Sequence, residues 1–329
     1  MKFGPVPLQD AAGAILAHSA ELPNGRLRKG KVLETDDIAL LAAAGAENVV
    51  VAQLEVGDLH EDVAAQRLAE AFVPAPGLRL TTATTGRVNV IATMPGIFRC
   101  DVETIEKVNA INPMITIATQ PQNQRVVAGD MVATIKIISY AVAELDIARA
   151  VDAAMPLALL TAQHTDITLI ETQIGSDAPN PKGRTAMATR LDRLGASLTP
   201  RVVVDHHEAA LAKAISAASG TMIMILTGSA TSDAYDVAPQ AVRIAGGQVT
   251  RFGMPVDPGN LLFVGEIGEK PVIGLPGCAR SLALNGADWV VERTICGLRL
   301  SDHDIAGMGV GGLLKESPAR HHPRGKPKE

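Results

Sequence analysis

The stretch TMIMILTGSATSDAYDVAPQAVRIAGG, residues 221–247, contains the pattern that decides the fold. An uncharged apolar run, residues 222–226, is followed by a loop of small residues and then by an amphipathic segment. A short apolar run bounded by turn residues is typical of a buried strand. Asp236 can cap a following helix, and the glycines at 246–247 can end it. The stretch therefore predicts a buried strand followed by a helix.

The same alternation recurs between about residues 166 and 296. Apolar runs precede helical segments in this order: DITLIET (166–172), TAMATRLDRLG (185–195), RVVVD (201–205), EAALAKAISAASG (208–220) and PVIGLPG (271–277). Alternating units of this length predict a parallel sheet with helices on both faces. The predicted fold class is therefore α/β, preceded by a mixed α/β and β-rich N-terminal region.

Changes in periodicity along the chain predict four segments. Residues 1–80 mix helical windows, including LQDAAGAILAH (8–18), with short strands. Residues 81–160 form a small module rich in β-branched residues that alternate with period two. Residues 161–300 carry the α/β pattern. Residues 301–329 are expected to be a flexible tail that ends in the basic segment ARHHPRGKPKE.

Composition excludes several classes of function. The net charge is −5 and aromatic residues make up only 2% of the 329 residues, so a nucleic-acid-binding surface is not expected. Three scattered cysteines without CxxC spacing favour a reduced, cytoplasmic protein. The sequence contains neither a signal-peptide pattern nor an apolar run long enough to cross a membrane.

Two loops carry the residues that we expect to bind a ligand. In an open parallel sheet, ligands bind at the carboxyl ends of the strands. Small side chains there leave backbone N–H groups open to an anion such as a phosphate, and Arg280 adds a permanent positive charge. The candidates in the first loop are Thr227, Gly228, Ser229, Ala230, Thr231 and Ser232. Those in the second loop are Pro276, Gly277, Cys278, Arg280 and Ser281, where a helix start is expected.

Acidic residues near these loops suggest a metal site. Asp205, Asp233 and Asp236 can together gather Mg²⁺, which accepts a few carboxylates with water and substrate phosphate oxygens. Each also has a structural explanation, as a helix cap or a solvated turn residue. His206 and His207 are expected to lie on the surface, because adjacent residues on one element do not easily both point inward.

Structural explanations compete with the binding hypothesis in both loops. A plain β-to-α turn with a capping aspartate accounts for residues 227–236. In the second loop, Arg280 can equally face solvent, and Cys278 lacks an identifiable partner that would make it a nucleophile.

The motifs of this region resemble the molybdopterin molybdotransferase family and the molybdopterin adenylyltransferases that share its domain. IGLPGCARS (273–281) is similar to the LPGNP turn of the transferases, and GSATSDAYDVAPQA (228–241) to the adenylyltransferase pattern GGTGxxxRDVTPEA. The segment FGMPVDPGNLLFVGEI (252–267) resembles the one that contains a PGKP turn, with Pro258 and Gly259 retained. The N-terminal residues 6–45 resemble the opening of the same family.

This resemblance implies a ligand, catalytic residues and a set of alternatives. It implies that molybdopterin or a molybdenum-cofactor intermediate is bound, that Asp236 and Asp205 are catalytic and hold Mg²⁺, and that Pro258 and Gly259 join the cofactor site. The chain departs from the pattern at Ser229, at Cys278 and at Asn260, which replaces the PGKP lysine. These departures leave open a non-catalytic cofactor carrier or sensor, and a nucleotide pyrophosphate hydrolase.

The resemblance also implies partners. We expect a small pterin phosphate as the ligand, a molybdoenzyme or another cofactor-synthesis protein as a partner, and a homo-oligomer, with a dimer favoured over a trimer. No nucleic-acid or membrane partner is expected.

Overall fold

The computed structural model describes residues 1–23, 25–73 and 76–314. It divides into two compact units, one of Met1–Met94 and Phe98–Leu159, the other of Pro95–Ile97 and Leu160–Glu329. The sequence predicts boundaries at residues 80, 160 and 300. The unit boundary lies at Leu159–Leu160, whereas no unit boundary lies at residue 80.

The first unit is built mainly from short strands and four helices. Its strands are β1 Lys2–Pro7, β2 Ile15–Leu16, β3 Ala20–Leu22, β4 Gly25–Leu27, β5 Asn48–Gln53, β6 Asp58–His60, β7 Leu78–Leu80, β8 Arg87–Ala92, β9 Gly96–Arg99, β10 Ile115–Thr119, β11 Arg125–Val126, β12 Met131–Ile137, β13 Ala141–Ala143 and β14 Ala158–Leu160. Its helices are α1 Thr35–Ala43, α2 Glu61–Phe72, α3 Val102–Ile111 and α4 Glu144–Ala153. The chain passes between the units at β9 and β14.

Two antiparallel sheets contain half of the described strands of the first unit. One has the strand order β1-β5-β2, and the hydrophobic core beside it is formed by residues that range in sequence from Leu8 to Val51. The other has the order β10-β12-β8-β7 and packs on α2 and α3. Burial alternates along β8 and β12, so the period-two pattern corresponds to a sheet with one buried face.

One prediction for this unit is wrong. The window 8–18 was expected to be helical, but it holds a 3₁₀ turn, Leu8–Asp10, and strand β2. Ile15 and Leu16 pair with Ala52 and Val51 of β5. The strand partner that overrides local helix propensity is more than 30 residues away.

The second unit alternates strands and helices. Its strands are β15 Asp166–Gln173, β16 Ser197–Leu198, β17 Val202–Asp205, β18 Met222–Leu226, β19 Gln248–Phe252, β20 Phe263–Ile267 and β21 Lys270–Gly274. Its helices are α5 Lys182–Asp192, α6 Glu208–Ala217, α7 Val237–Ile244, α8 Gly286–Ile295 and α9 Asp302–Ala306, with 3₁₀ turns at Gly277–Arg280 and Gly307–Gly309.

These strands form a seven-stranded sheet with helices on both faces. Its strand order is β16-β15-β18-β21-β20-β19. Strand β16 pairs with the amino-terminal end of β15, and β17 pairs with the carboxyl-terminal half of β15. The strands β16, β17, β15, β18 and β21 run parallel to one another, whereas β20 and β19 extend the sheet in antiparallel pairing. The α/β fold predicted from the sequence is confirmed, and the antiparallel extension adds to it.

Strand β18 shows why both faces are covered. Met222, Met224 and Leu226 belong to the core that contains α5 and α8, and Ile223 and Ile225 to the core that contains α6 and α7. Successive side chains of a strand point to opposite faces, so a strand buried on both sides is apolar throughout.

The C-terminal residues differ from the expected flexible tail. Residues 302–306 form α9, and Ile305 and Met308 are buried in the core with α5 and α8. Residues 315–329, which include the basic segment ARHHPRGKPKE, lie outside the described residues. Within the described ranges, every helix is too short or too polar to span a membrane.

Candidate functional site

Four loops follow the carboxyl ends of neighbouring parallel strands. The strands β17, β15, β18 and β21 lie side by side, and parallel strands end at the same edge of a sheet. The loops are residues 206–207, 174–181, 227–236 and 275–285. We call this edge the carboxyl rim. The two predicted ligand loops are therefore neighbours.

A single peptide group at the end of β18 is held from both sides. The carbonyl oxygen of Thr227 accepts a hydrogen bond of 2.6 Å from Nη2 of Arg280. The N–H of Gly228, in the same peptide group, donates to Oγ1 of Thr172 over 2.7 Å. Arg280 belongs to the β21 loop and Thr172 to β15, so this peptide group ties three strand ends together.

Gly228 is required by packing. A Cβ atom at this position would lie 2.9 Å from the carbonyl oxygen of Thr172 and 3.3 Å from Cγ1 of Ile174. The sequence analysis assigned Gly228 to the ligand-binding loop. Its side-chain position is instead taken up by the backbone of β15, so any space for a ligand lies elsewhere in the loop.

The rest of the first loop is organised by Asp236. One of its carboxylate oxygens accepts from the backbone N–H of Ser232 at 2.9 Å and from its hydroxyl at 3.4 Å. The other oxygen accepts from the N–H of Val237 at 2.7 Å, the first residue of α7. Burial acts in the opposite direction, but these hydrogen bonds and nearby His206 hold the pKa of Asp236 below its ordinary value. Asp236 is therefore an ionised helix cap, as its position in the sequence predicted.

Asp233 also stabilises this loop. Its side chain accepts from the N–H of Tyr235 at 2.8 Å, an aspartate turn. Its carbonyl oxygen accepts from the N–H of Asp236 at 3.2 Å.

The second loop does not begin a long helix, and that prediction is wrong. Gly277–Arg280 is one 3₁₀ turn, and the helix α8 starts only at Gly286 with Asn285 as its cap. The amides of Cys278–Ser281 are therefore not the N-terminus of an α-helix, and the helix dipole does not act there. The positive charge of Arg280 still lies at the carboxyl rim, where this side chain is half-buried.

Open space adjoins Arg280. A Cβ atom placed on the exposed Gly277 would meet only Nη1 of Arg280, at 3.9 Å. Nη2 is engaged by Thr227, so the other side of the guanidinium faces the space beside Gly277. This combination of a fixed cation and a missing side chain suits a phosphate oxygen.

A buried arginine that sequence reasoning missed supports this turn. Arg190 of α5 is 2% exposed and pairs with Asp288 through Nε at 2.6 Å. Its remaining nitrogens donate to the carbonyl oxygens of Ala279 at 2.9 Å, Ser281 at 2.6 Å and Ala283 at 3.2 Å. Arg190 therefore holds the chain that follows Gly277. The sequence did contain a signal, since Arg190 occupies the apolar stripe of an amphipathic helix.

The three predicted metal ligands do not gather. Asp205 is exposed at the end of β17 and accepts from Nε2 of Gln173 at 3.3 Å. Asp233 and Asp236 are engaged in the loop contacts given above. In the part of the chain that the structure describes, no group of three or more His, Cys, Asp or Glu residues could hold a metal ion. Binding of Mg²⁺ by Asp205, Asp233 and Asp236 therefore stays a prediction.

The two histidines have different surroundings. His207 is an exposed cap of α6 and accepts from the N–H of Ala209 at 3.2 Å. His206 is half-buried, and its Nδ1 lies 2.9 Å from Oγ1 of Thr172. The expected surface position is correct for His207, whereas His206 reaches the peptide group of Gly228 through Thr172.

Pro258 and Gly259 pack against the start of α8. The carbonyl oxygen of Pro258 accepts from the N–H of Gly286 at 2.8 Å. A Cβ on Gly259 would lie 2.7 Å from that nitrogen. These contacts seat the start of α8.

A separate cavity of about 340 Å³ lies at the opposite, amino end of the strands. It is lined by residues of β19, β20 and β21, including Pro271, by His164, which precedes β15, and by residues that follow α8, including Leu298. None of the predicted ligand residues contributes to it.

The fold and the rim define an α/β domain with a cation and small-residue loops where its parallel strands end. Residues 176–294 match the family model described as "Probable molybdopterin binding domain", whose short name refers to molybdenum cofactor biosynthesis. This match covers the region that holds both loops and confirms the resemblance there. Residues 5–53 match a domain of unknown function. No curated protein matches the sequence significantly.

Solved structures with low similarity carry related names. A molybdopterin biosynthesis MoeA protein from Pyrococcus horikoshii is 14% identical, with a TM-score of 0.32, over 90% of this chain and 75% of that one. A molybdenum cofactor biosynthesis protein from Pyrococcus furiosus is 12% identical, with a TM-score of 0.26, over 91% and 66% of the two chains. TM-scores this low do not establish a shared overall fold.

Proposed function

We propose that the second unit binds molybdopterin or another pterin phosphate of molybdenum cofactor biosynthesis at the carboxyl rim. The observation that carries the proposal is the hydrogen bond from Arg280 to Thr227, which joins the two ligand loops inside the matched region. Two loops that resemble a shared ligand-binding pattern are thereby fixed side by side.

The phosphate would lie beside Gly277, next to the free side of the Arg280 guanidinium. Charge-assisted hydrogen bonds from arginine to phosphate are among the stronger polar contacts in proteins. Ser229 and Ser232 are exposed on the facing loop and offer hydroxyl groups. Asp236 lies in the same loop but is neutralised in part by the N–H groups it accepts from, so its repulsion of the phosphate is reduced.

The test is the affinity for molybdopterin, measured by calorimetry, of the native protein and of Gly277→Asp. A carboxylate near Nη1 of Arg280 would pair with the cation and repel the phosphate, so we expect at least a tenfold loss, about 1.4 kcal/mol. Gly307→Asp is the matched control, because Gly307 also has open space around its Cβ position and no positive φ. Equal affinities in all three proteins would remove the second loop from the site.

A second candidate is a Mg²⁺-dependent transferase that uses the same rim. Its support is the lowered pKa of Asp236, which keeps an ionised carboxylate in the first ligand loop. The described residues do not form a metal cage by themselves. Mg²⁺ is commonly held by one or two carboxylates with substrate phosphate oxygens, so Asp236 and Asp205 would hold it only together with the substrate. A bound Mg²⁺ would neutralise charge that develops on those oxygens.

Turnover of adenylylated molybdopterin in the presence of molybdate and Mg²⁺ distinguishes this enzyme from a carrier. Asp236→Asn should abolish turnover while the protein stays folded, because asparagine also caps helices. Asp233→Asn is the control within the same loop. If the native protein binds molybdopterin without turning over the adenylylated form, it is a non-catalytic carrier or sensor.

Three further expectations accompany the proposal. They are a homo-oligomer, a molybdoenzyme or another cofactor-synthesis protein as a partner, and a cytoplasmic location. Size measurement with light scattering tests the first of them.

A further inference from the structure

One buried hydroxyl sets the tautomer of a neighbouring histidine. Thr172 is completely buried, and its Oγ1 accepts from the N–H of Gly228 at 2.7 Å and lies 2.9 Å from Nδ1 of His206. A hydroxyl has one hydrogen and two lone pairs. Gly228 uses a lone pair, so the hydrogen of Thr172 is directed to Nδ1 of His206. The opposite arrangement would leave this buried hydrogen without an acceptor, which is costly.

The consequence is a fixed tautomer of His206. When Nδ1 accepts, the neutral ring carries its hydrogen on Nε2. The described residues include no hydrogen-bond partner for Nε2. The backbone N–H of His206 donates to the carbonyl oxygen of Gln173 at 2.8 Å, so the residue is anchored at both its backbone and its ring. An oriented N–H donor is therefore presented at the carboxyl rim.

The charges around the two ends of the rim differ. Asp236 lies close enough to His206 for the two to interact electrostatically, and Asp205 is its neighbour in sequence. These carboxylates make the surroundings of His206 unfavourable for a phosphate. On the other side of the peptide group of Thr227 and Gly228 lies the cation of Arg280. The rim thus has a cationic end at Arg280 and, at His206, an end where an N–H donor lies near carboxylates.

We propose that His206 is a ligand-binding residue whose Nε2–H donates to an uncharged acceptor of the ligand, and that Thr172 is its positioning residue. This inference rests on the proposed function. For a pterin phosphate, the phosphate lies at the Arg280 end, and a carbonyl oxygen or nitrogen of the pterin ring accepts from His206. The two ends together select a ligand with an anion at one end and a neutral heterocycle at the other.

Two substitutions of His206 separate binding from a purely structural role. The amide nitrogen of glutamine reaches the position of Nε2, whereas asparagine reaches only that of Nδ1. We expect His206→Asn to lose roughly tenfold in molybdopterin affinity by calorimetry and His206→Gln to stay within roughly threefold of the native protein. If the side chain at position 206 is needed only to contact Thr172, His206→Asn should keep a higher molybdopterin affinity than His206→Gln. Equal affinities, or that reverse order, overturn the inference.

Two controls locate the effect. Affinity for inorganic phosphate should be unchanged in His206→Asn, because the phosphate position belongs to Arg280; a comparable loss for phosphate overturns the division between the two ends. Thr172→Ser, which keeps the hydroxyl, should retain molybdopterin affinity, whereas Thr172→Val should weaken it. If Thr172→Val binds as tightly as the native protein, Thr172 is not a positioning residue.

The tautomer provides a readout that does not depend on any ligand. Nitrogen NMR of the histidine rings in the full-length protein should show His206 with its hydrogen on Nε2, the signal being assigned by its loss in His206→Asn. A hydrogen on Nδ1 in the native protein overturns the inference whatever the affinities are. If the native protein does not bind molybdopterin at all, the proposed function fails and the inference falls with it. Native binding with no effect at His206 overturns the inference alone.

Discussion

Two ion pairs of the second unit have the same length and opposite exposure. Arg190 and Asp288 are 2.6 Å apart with side chains 2% and 3% exposed, whereas Arg299 and Glu269 are 2.6 Å apart with side chains 80% and 90% exposed. We predict that Arg190→Met lowers the free energy of unfolding of the second unit by about 3–5 kcal/mol. Arg299→Met should lower it by at most about 1 kcal/mol, because water screens an exposed pair.

The large value for Arg190 follows from what its removal leaves behind. Asp288 would stay buried with a charge and only the N–H of Asn285 as a partner, at 2.8 Å. The carbonyl oxygens of Ala279, Ser281 and Ala283 would each lose a charged donor. Methionine fills a similar volume, so the loss is electrostatic and not a cavity effect.

The single tryptophan of the chain makes the assay specific. Trp289 follows Asp288 on α8 and packs against the core of the second unit, so its fluorescence during urea denaturation follows that unit. The two units have separate cores, and a signal from the whole chain would mix their transitions. The midpoint and slope for native protein, Arg190→Met and Arg299→Met give the three free energies.

A second substitution tests the physical reason. Asp288→Asn should destabilise the native protein, but in the Arg190→Met background it should be neutral or stabilising, because it removes the unpaired charge. The reasoning is refuted if the two arginine variants lose similar free energy, if Arg190→Met costs less than about 1 kcal/mol, or if the two substitutions are additive.

Two further predictions concern ionisable groups. The pKa of Asp236 is lowered from 3.8, so its contribution to stability is present above that value and is lost as the pH falls through the folded-state pKa. The stability difference between native protein and Asp236→Asn, followed by Trp289 fluorescence, should therefore be present at about pH 6 and diminish as the pH falls through the folded-state pKa of Asp236; a difference that stays unchanged in acid would contradict this. Burial raises the pKa of the Cys296 thiol to about 12, whereas Cys278 is only half-buried. Iodoacetamide at mildly alkaline pH should label Cys278 first in the folded protein, and mass spectrometry that finds Cys296 labelled equally fast would show that the helix α8 opens readily.

The parts of the fold that the sequence predicted depend on local signals. The residues of β18, the cap Asp236 and the glycine that ends α7 lie within 26 residues of each other, and each acts through its immediate neighbours. The apolar run of β18 also predicts burial on both faces, which the two cores confirm.

The parts that it did not predict depend on partners far along the chain. Arg190 meets the turn at 279–283, about 90 residues away, and its role could not be inferred from α5 alone. Thr172 meets His206 only because β15 and β17 pair in a parallel register that places Gln173 beside Asp205. The start of α8 was misplaced for a similar reason, since Pro258 and Gly259 contact Gly286 from a separate segment.

The peptide group between Thr227 and Gly228 makes the two ends of the rim thermodynamically dependent on each other. A phosphate that draws the guanidinium of Arg280 toward itself weakens the hydrogen bond to the carbonyl of Thr227. Because that carbonyl and the N–H of Gly228 belong to one rigid plane, the change is transmitted to Thr172 and from there to His206. If a ligand occupies both ends as proposed, occupation of one end alters the affinity of the other by an effect that is equal in both directions. The separated halves of that ligand would then each report the state of the opposite end.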